Sequence, residues 1–358
     1  TRLYLLFNKI MNVSARTLRT LLLGVLMLPL CGAAEEKSEN RLKEYLPEIH
    51  GTLRTRVESE FGHDLPAAYR FQVRNARLSV GGKVGPAFNY FFNTDLCDRG
   101  KIKILDAWGR LNIPGGLSLR MGQFRMPFGV DPFRGPNSYI FANRSFIGRQ
   151  ICNVRAVGAE VGYALPAAPL VLTAGVFNPT PIGDHIVWNT SAAFAVKATY
   201  ALGRTKLATG FQSIRPDGIR ANLVDAALTW NPGSRWTLEA EYMYKHYVCG
   251  AHKPAHGWLV WADYKMPVKA WVFDRLSFQG RYDGMTDHSS AVRDASGLLV
   301  TDDYARNRIT LGATISYIRS KHLFADIRVN YEKYFYHSAT PVAQGGGDKA
   351  LLELVIRF

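Results

Sequence analysis

The sequence predicts an all-β fold: an antiparallel transmembrane β-barrel of about 16 strands, with short periplasmic turns, long extracellular loops and one loop folded back inside. Three observations lead there. Apolar and polar residues alternate through about sixteen short stretches. The connections between them alternate between short and long. The chain begins with a leader-like run and ends on an alternating stretch closed by Phe358. Its 358 residues suffice for one large β-domain, and the 12% aromatic content suits strands and membrane interfaces.

Residues 1–34 read as upstream residues plus a secretory signal, with Met11 the better start. A basic region (Arg16, Arg19) precedes an apolar run from Leu21 to Leu30, then Gly32-Ala33-Ala34. Cleavage is expected near Ala34; Cys31 as a lipid-anchor site is disfavoured because Leu30, not a small residue, precedes it. Removing four basic leader residues from the formal charge of +15 leaves roughly +11. Residues 35–47 form a charged periplasmic tail, and 48–358 the barrel domain.

The first strand, 49–61, carries Ile49, Leu53, Val57 and Phe61 on one face, His50, Arg54, Arg56, Glu58 and Glu60 on the other. In the second, Arg70, Gln72 and Arg74 share a face and Arg77 falls out of step, which predicts a bulge near Asn75-Ala76. Strands follow at 87–96, 102–113 and 117–128. After a long aperiodic segment, 130–150, the alternation resumes near Val157 and continues through strands centred near 173, 197, 209, 227, 240, 261, 279, 313 and 328. The last runs from Ala350 to Phe358. Short links contain Pro-Gly-Gly or Asn-Pro-Gly-Ser; long ones lie at about 130–153, 179–191, 213–220, 248–256, 284–305 and 336–347. A soluble sandwich has no reason for that asymmetry. Trp108, Trp230, Trp236, Tyr242, Trp258 and Tyr317 near strand ends suggest interfacial belts.

In such a barrel the polar face looks into water. The lumen candidates are Arg54, Arg56, Arg70, Arg74, Arg77, Arg110, Arg120 and Arg125, all from the first five strands, which would form a basic stripe on one wall. Fixed positive charge at a narrow point selects anions, and the guanidinium fork suits oxyanions. Glu160, Glu239, Glu241 and Glu353 face them, so pairing that merely stiffens the wall is the competing reading for each arginine. Arg134, Arg144 and Arg149 lie near Tyr139, Phe141 and Phe146 in the 130–150 segment. Folded inward, they form a constriction; packed outward, they meet a neighbouring subunit.

The run from Asp106-Ala107-Trp108 through Gly122-Gln123-Phe124-Arg125-Met126-Pro127-Phe128-Gly129 resembles the phosphate-selective porin family, the O and P type. So do Gly175-Val176-Phe177-Asn178 and the arginine-rich second strand; the C-terminal Leu351–Phe358 looks like the assembly signal of bacterial outer-membrane barrels in general. The resemblance covers about residue 48 to the end. It implies a sixteen-stranded bacterial outer-membrane porin, often a homotrimer, with an inward loop and an anion-selective pore for small anionic solutes such as phosphate.

Other sites carry less. Cys249, His252 and His256 share one loop but offer three ligands only, so no metal is expected. Cys97 and Cys152 fall on one rim, which leaves a surface disulfide open. Gly81-Gly82 and Gly345-Gly346-Gly347 are turn glycines without a following helix. No catalytic motif, cofactor or nucleic-acid partner is expected. Three functions compete: an anion-preferring porin, a general or sugar-type porin, and a non-conducting surface-binding barrel.

Overall fold

The computed structural model describes residues 45–358 except 99, 153–154, 180–181, 184–185, 216–217 and 338–341, and omits the side chains of Asp98, Arg149 and Gln150. The leader and most of the tail therefore lie outside the described residues. Residues Leu46–Phe358 form one unit.

That unit is a closed antiparallel barrel in which every strand pairs with its sequence neighbours and β1 pairs with β16. The strands are β1 (Glu48–Phe61), β2 (Ala68–Val84), β3 (Phe88–Asp98), β4 (Lys101–Ile113), β5 (Leu117–Arg125), β6 (Arg155–Ala164), β7 (Leu170–Phe177) and β8 (Ala193–Leu202). They continue as β9 (Thr205–Ile214), β10 (Ala221–Trp230), β11 (Trp236–Tyr247), β12 (Ala255–Ala270), β13 (Phe273–Met285), β14 (Arg306–Ile318), β15 (Phe324–Tyr336) and β16 (Asp348–Arg357). Closure runs from Thr52↔Arg357 to Phe61↔Asp348, and Phe358 exchanges two backbone hydrogen bonds with Gly51. A closed ring leaves no unpaired edge, as a bilayer requires.

Alternation sorts the side chains as expected of a lipid-facing wall. On β10, Val224 and Leu228 are exposed to the outside while Asp225 is buried inside. Phe71, Phe92, Leu311 and Val329 also face out. Even-numbered strands from β2 to β14 end in turns of two to five residues, so β1 starts and β16 ends on the turn rim.

The bulge expected near Asn75-Ala76 is present: Arg54 pairs with Asn75 and Thr55 with Val73, leaving Arg74 as the extra residue. Two expectations need correction. Strand β5 stops at Arg125 rather than 128, because Pro127 cannot donate to a ladder. Trp108 is not part of an outer belt; it lines a cavity inside the barrel.

Candidate pore and crossing loop

The loop after β5, described over 126–152 and here called the crossing loop, leaves the wall at Phe128-Gly129. Gly129 adopts a left-handed φ of 70° that other residues resist, and this turns the chain into the barrel. The loop then bonds across to the far wall. The Val130 and Asp131 N–H groups donate to Glu241 at 2.7 and 2.8 Å. Lys197 donates to the Gly129 carbonyl. Arg134 makes a forked pair with Glu239, which also accepts from Trp261 at 3.1 Å. Further on, the Ala142 N–H donates to Asn330 at 2.8 Å and the Ala142 carbonyl accepts from Arg54 at 2.8 Å. Asn143 accepts from Arg56 at 2.7 Å and donates to Glu332 at 3.0 Å. The Phe146 N–H donates to Asp283, and Arg308 donates to the Arg144 carbonyl.

The loop is greasy as well as tethered. Met126, Phe128, Phe141, Phe146, Ile147 and Ile151 pack with Leu223, Met243, Leu259, Trp261 and Met285 in one cluster inside the barrel. Lumen-facing positions on β10–β13 are therefore apolar where the loop covers them. Gly257 makes room: a Cβ there would sit 2.4 Å from both Ile147 and Ile151.

The loop divides the lumen. On the turn side lies a cavity of about 500 Å³ lined by His50, Arg77, Phe91, Trp108, Arg125 and Arg155, among others. On the loop side lies one of about 280 Å³, where Arg56, Arg70, Arg144, Arg306, Arg308 and Lys349 outnumber Glu58. Between them stands Tyr139, with Arg54, Arg77, Arg125 and Arg144 as electrostatic neighbours. Arg54 and Arg144 lie 5.2 and 5.6 Å from its ring centroid.

The predicted arginines divide by their partners. Arg54 is 1% exposed and bound to Glu353 at 2.6 Å. Arg56 pairs with Glu58 at 2.7 Å, Arg70 with Glu58 at 2.8 Å, and Arg77 with Asp95 at 3.0 Å. Arg120 holds both oxygens of Glu160 at 2.7 Å. Arg134 is clamped between Asp131 and Glu239. Arg125 donates to the carbonyls of Pro132 and Arg134, and Arg144 to that of Pro132. Among the described residues, no carboxylate lies within ion-pair distance of Arg74, Arg110, Arg125 or Arg144. The Arg149 side chain lies outside the described residues.

The stripe is not confined to the first five strands. Arg155 forms a two-point pair with Asp106, and Arg281, Arg308 and Arg328 pair with Asp283, Glu332, Asp326 and Glu353 on the opposite wall. The signal for the last three was present, since they share an alternating phase with those acids. Arg155 lies where the periodicity is broken.

Cys97, Cys152 and Cys249 are free, so the disulfide left open does not form. Burial pushes the Cys152 thiol up to about 12. His256 bonds Tyr242 and His252 bonds Thr301, so these histidines do not converge.

A sixteen-stranded closed barrel with an outward apolar face and an inward-tethered loop defines a channel of the bacterial outer membrane. Solved structures share the fold: an anion-selective porin from Comamonas acidovorans is similar with a TM-score of 0.61 at 14% identity, covering 88% of this chain and 99% of that one. The outer membrane channel DcaP of Acinetobacter baumannii gives 0.60 at 12%, covering 92% and 100%, and the trimer form of OmpT from Vibrio cholerae 0.56 at 10%, covering 87% and 99%. No curated protein matches the sequence. Residues 55–279 match the phosphate-selective porin O and P family, and the chain belongs to it.

Proposed function

We propose that this porin is a passive, anion-preferring diffusion channel for phosphate and similar small anions. The observation that supports it best is the charge around the aperture beside Tyr139. Arg54, Arg77, Arg125, Arg144 and Arg155 gather there against Glu353, Asp95 and Asp106. Two of the five, Arg125 and Arg144, have no carboxylate within ion-pair distance among the described residues; Asp106 and Asp131 act on them only from farther off. A guanidinium held by carbonyls keeps its full charge and offers its remaining donors to a passing anion. The paired arginines serve the frame: they hold the crossing loop and stiffen the wall.

The protein is read as exported by a leader cleaved near Ala34, and as a homotrimer, by analogy with the trimer form of OmpT from Vibrio cholerae. A second reading, a general porin, draws on the number of lumen arginines already neutralised by acids. Zero-current potentials across planar bilayers under a KCl gradient separate the two. The wild type is expected to favour chloride, and Arg125→Gln with Arg144→Gln to bring the permeability ratio close to unity. Arg120→Gln together with Glu160→Gln is expected to leave it nearly unchanged, because that pair carries no net charge. A wild-type ratio near one supports the general porin; equal effects of the two double variants mean the aperture lies elsewhere.

A further inference from the structure

Phe91 and Trp108 turn apolar ring surface into the turn-side cavity, which Tyr90 also lines, where a water-filled pore needs none. Phe91 on β3 and Trp108 on β4 sit opposite each other in the ladder, centroids 5.6 Å apart and planes 31° apart, and both line the cavity. Their neighbours on the same wall are polar: Thr52, Ser79, Asn89, Asn93 and Arg77. Apolar ring surface left facing water carries a free-energy penalty that a polar residue would avoid. Packing accounts for only part of it: Trp108 is half-buried against the crossing-loop cluster with Arg110 and Arg120 over its ring, and it still lines the cavity.

Guanidinium groups with unused donors flank these rings. Arg125 lines the same cavity and donates through one terminal nitrogen only, to the Pro132 and Arg134 carbonyls. Its other terminal nitrogen and Nε make no hydrogen bond among the described residues. Arg110 lies 5.2 Å over the Trp108 ring and makes no ion pair there. The cavity, about 500 Å³, is the size of pockets that hold small organic ligands, roughly 300–1,000 Å³. A flat ring covers the wet aromatic surface, and a carboxylate on that ring meets the open fork. A bare inorganic anion uses the second feature and not the first.

We propose that the turn-side cavity is a binding site for aromatic carboxylates, with the ring on Phe91 and Trp108 and the carboxylate on Arg125. The proposal rests on the reading of this cavity as part of the pore. Within it, the site slows aromatic anions on their way through and so distinguishes them from aliphatic anions of equal charge.

Calorimetry on the folded full-length barrel in detergent, with benzoate and cyclohexanecarboxylate as probes, tests it. Benzoate is expected to bind about three- to tenfold more tightly than its saturated analogue, the margin that ring–ring contact adds beyond area. Phe91→Leu and Trp108→Leu, made separately and checked for heat-resistant migration, are each expected to reduce that margin. Arg125→Gln is expected to weaken both probes. Equal affinity for the two acids, no heat of binding, or a margin unchanged in both leucine variants overturns the site. Bilayer recording of the same preparation keeps the two readings apart. A barrel that binds benzoate but passes no current sinks the channel and leaves the site. One that conducts anions without binding benzoate sinks the site alone.

Discussion

Arg54 shows how one residue type takes different work from its surroundings. Its guanidinium is fully enclosed, with Glu353 on one side and the Ala142 carbonyl on the other. Replacing one member of a buried pair costs about 3–5 kcal/mol where the other charge is stranded, and without Arg54 Glu353 keeps only Arg328 at 3.5 Å. Arg54→Met is therefore expected to lower the urea midpoint of unfolding and to free the crossing loop at Ala142. Arg70, whose side chain is 57% exposed beside Glu58, is expected to lose less than about 1 kcal/mol on mutation to alanine. Equal losses at the two sites would show that burial does not govern these pairs. Arginine 125 differs from both, held by carbonyls and left charged. Sequence phase placed all three toward the lumen, but phase alone does not reveal the partner, because the partners come from β1, β16 and the crossing loop.

At the scale of elements, the crossing loop depends on shape as much as on hydrogen bonds. Gly257 on β12 leaves the recess into which Ile147 and Ile151 settle. Gly257→Val fills it, at a cost of about 1–3 kcal/mol typical of overpacking. The expected outcome is a displaced loop and altered single-channel conductance with the barrel intact; unchanged conductance would mean that the loop does not set the aperture. The 286–305 loop carries a different dependence. His288 is wholly buried, and burial, with Lys245 beside it, holds its imidazole down to about 4 despite the pull of Asp302 and Asp303. In an opened loop its value returns to about 6.5. The opened form thus takes up the proton first: packing is fully stable above about pH 6.5 and weakens as pH falls towards 4. Hydrogen-exchange protection of this loop is expected to be lower at pH 5 than at pH 7, and His288→Leu to remove the difference. Equal protection in the wild type at both values would refute the assignment.

Across the whole molecule, selectivity is a property of a field rather than of one contact. The chain carries a formal +15, and its lumen concentrates arginines in a narrow, low-dielectric wall. Salt screens such a field over about 10 Å at 0.1 M and about 3 Å at 1 M. The anion-to-cation permeability ratio is accordingly expected to fall towards one as KCl rises between those concentrations. A ratio independent of salt would point instead to direct binding steps.

Much of the fold was legible before any coordinates, because a strand in a lipid-facing wall must alternate and each residue's phase is local. Sixteen strands, the closing stretch at Phe358 and the two kinds of rim were readable in that way. The site was only half legible. Arg125 and Arg144 look no different in sequence from Arg120 and Arg134, and Leu223, Met243 and Leu259 look like lapses in a polar face. Only the tertiary structure decided those roles. The crossing loop brings residues 126–152 against β10–β15, covering apolar wall on one side and leaving charge open on the other. Periodicity reports which way a side chain points; what waits there is set by contacts more than a hundred residues away along the chain.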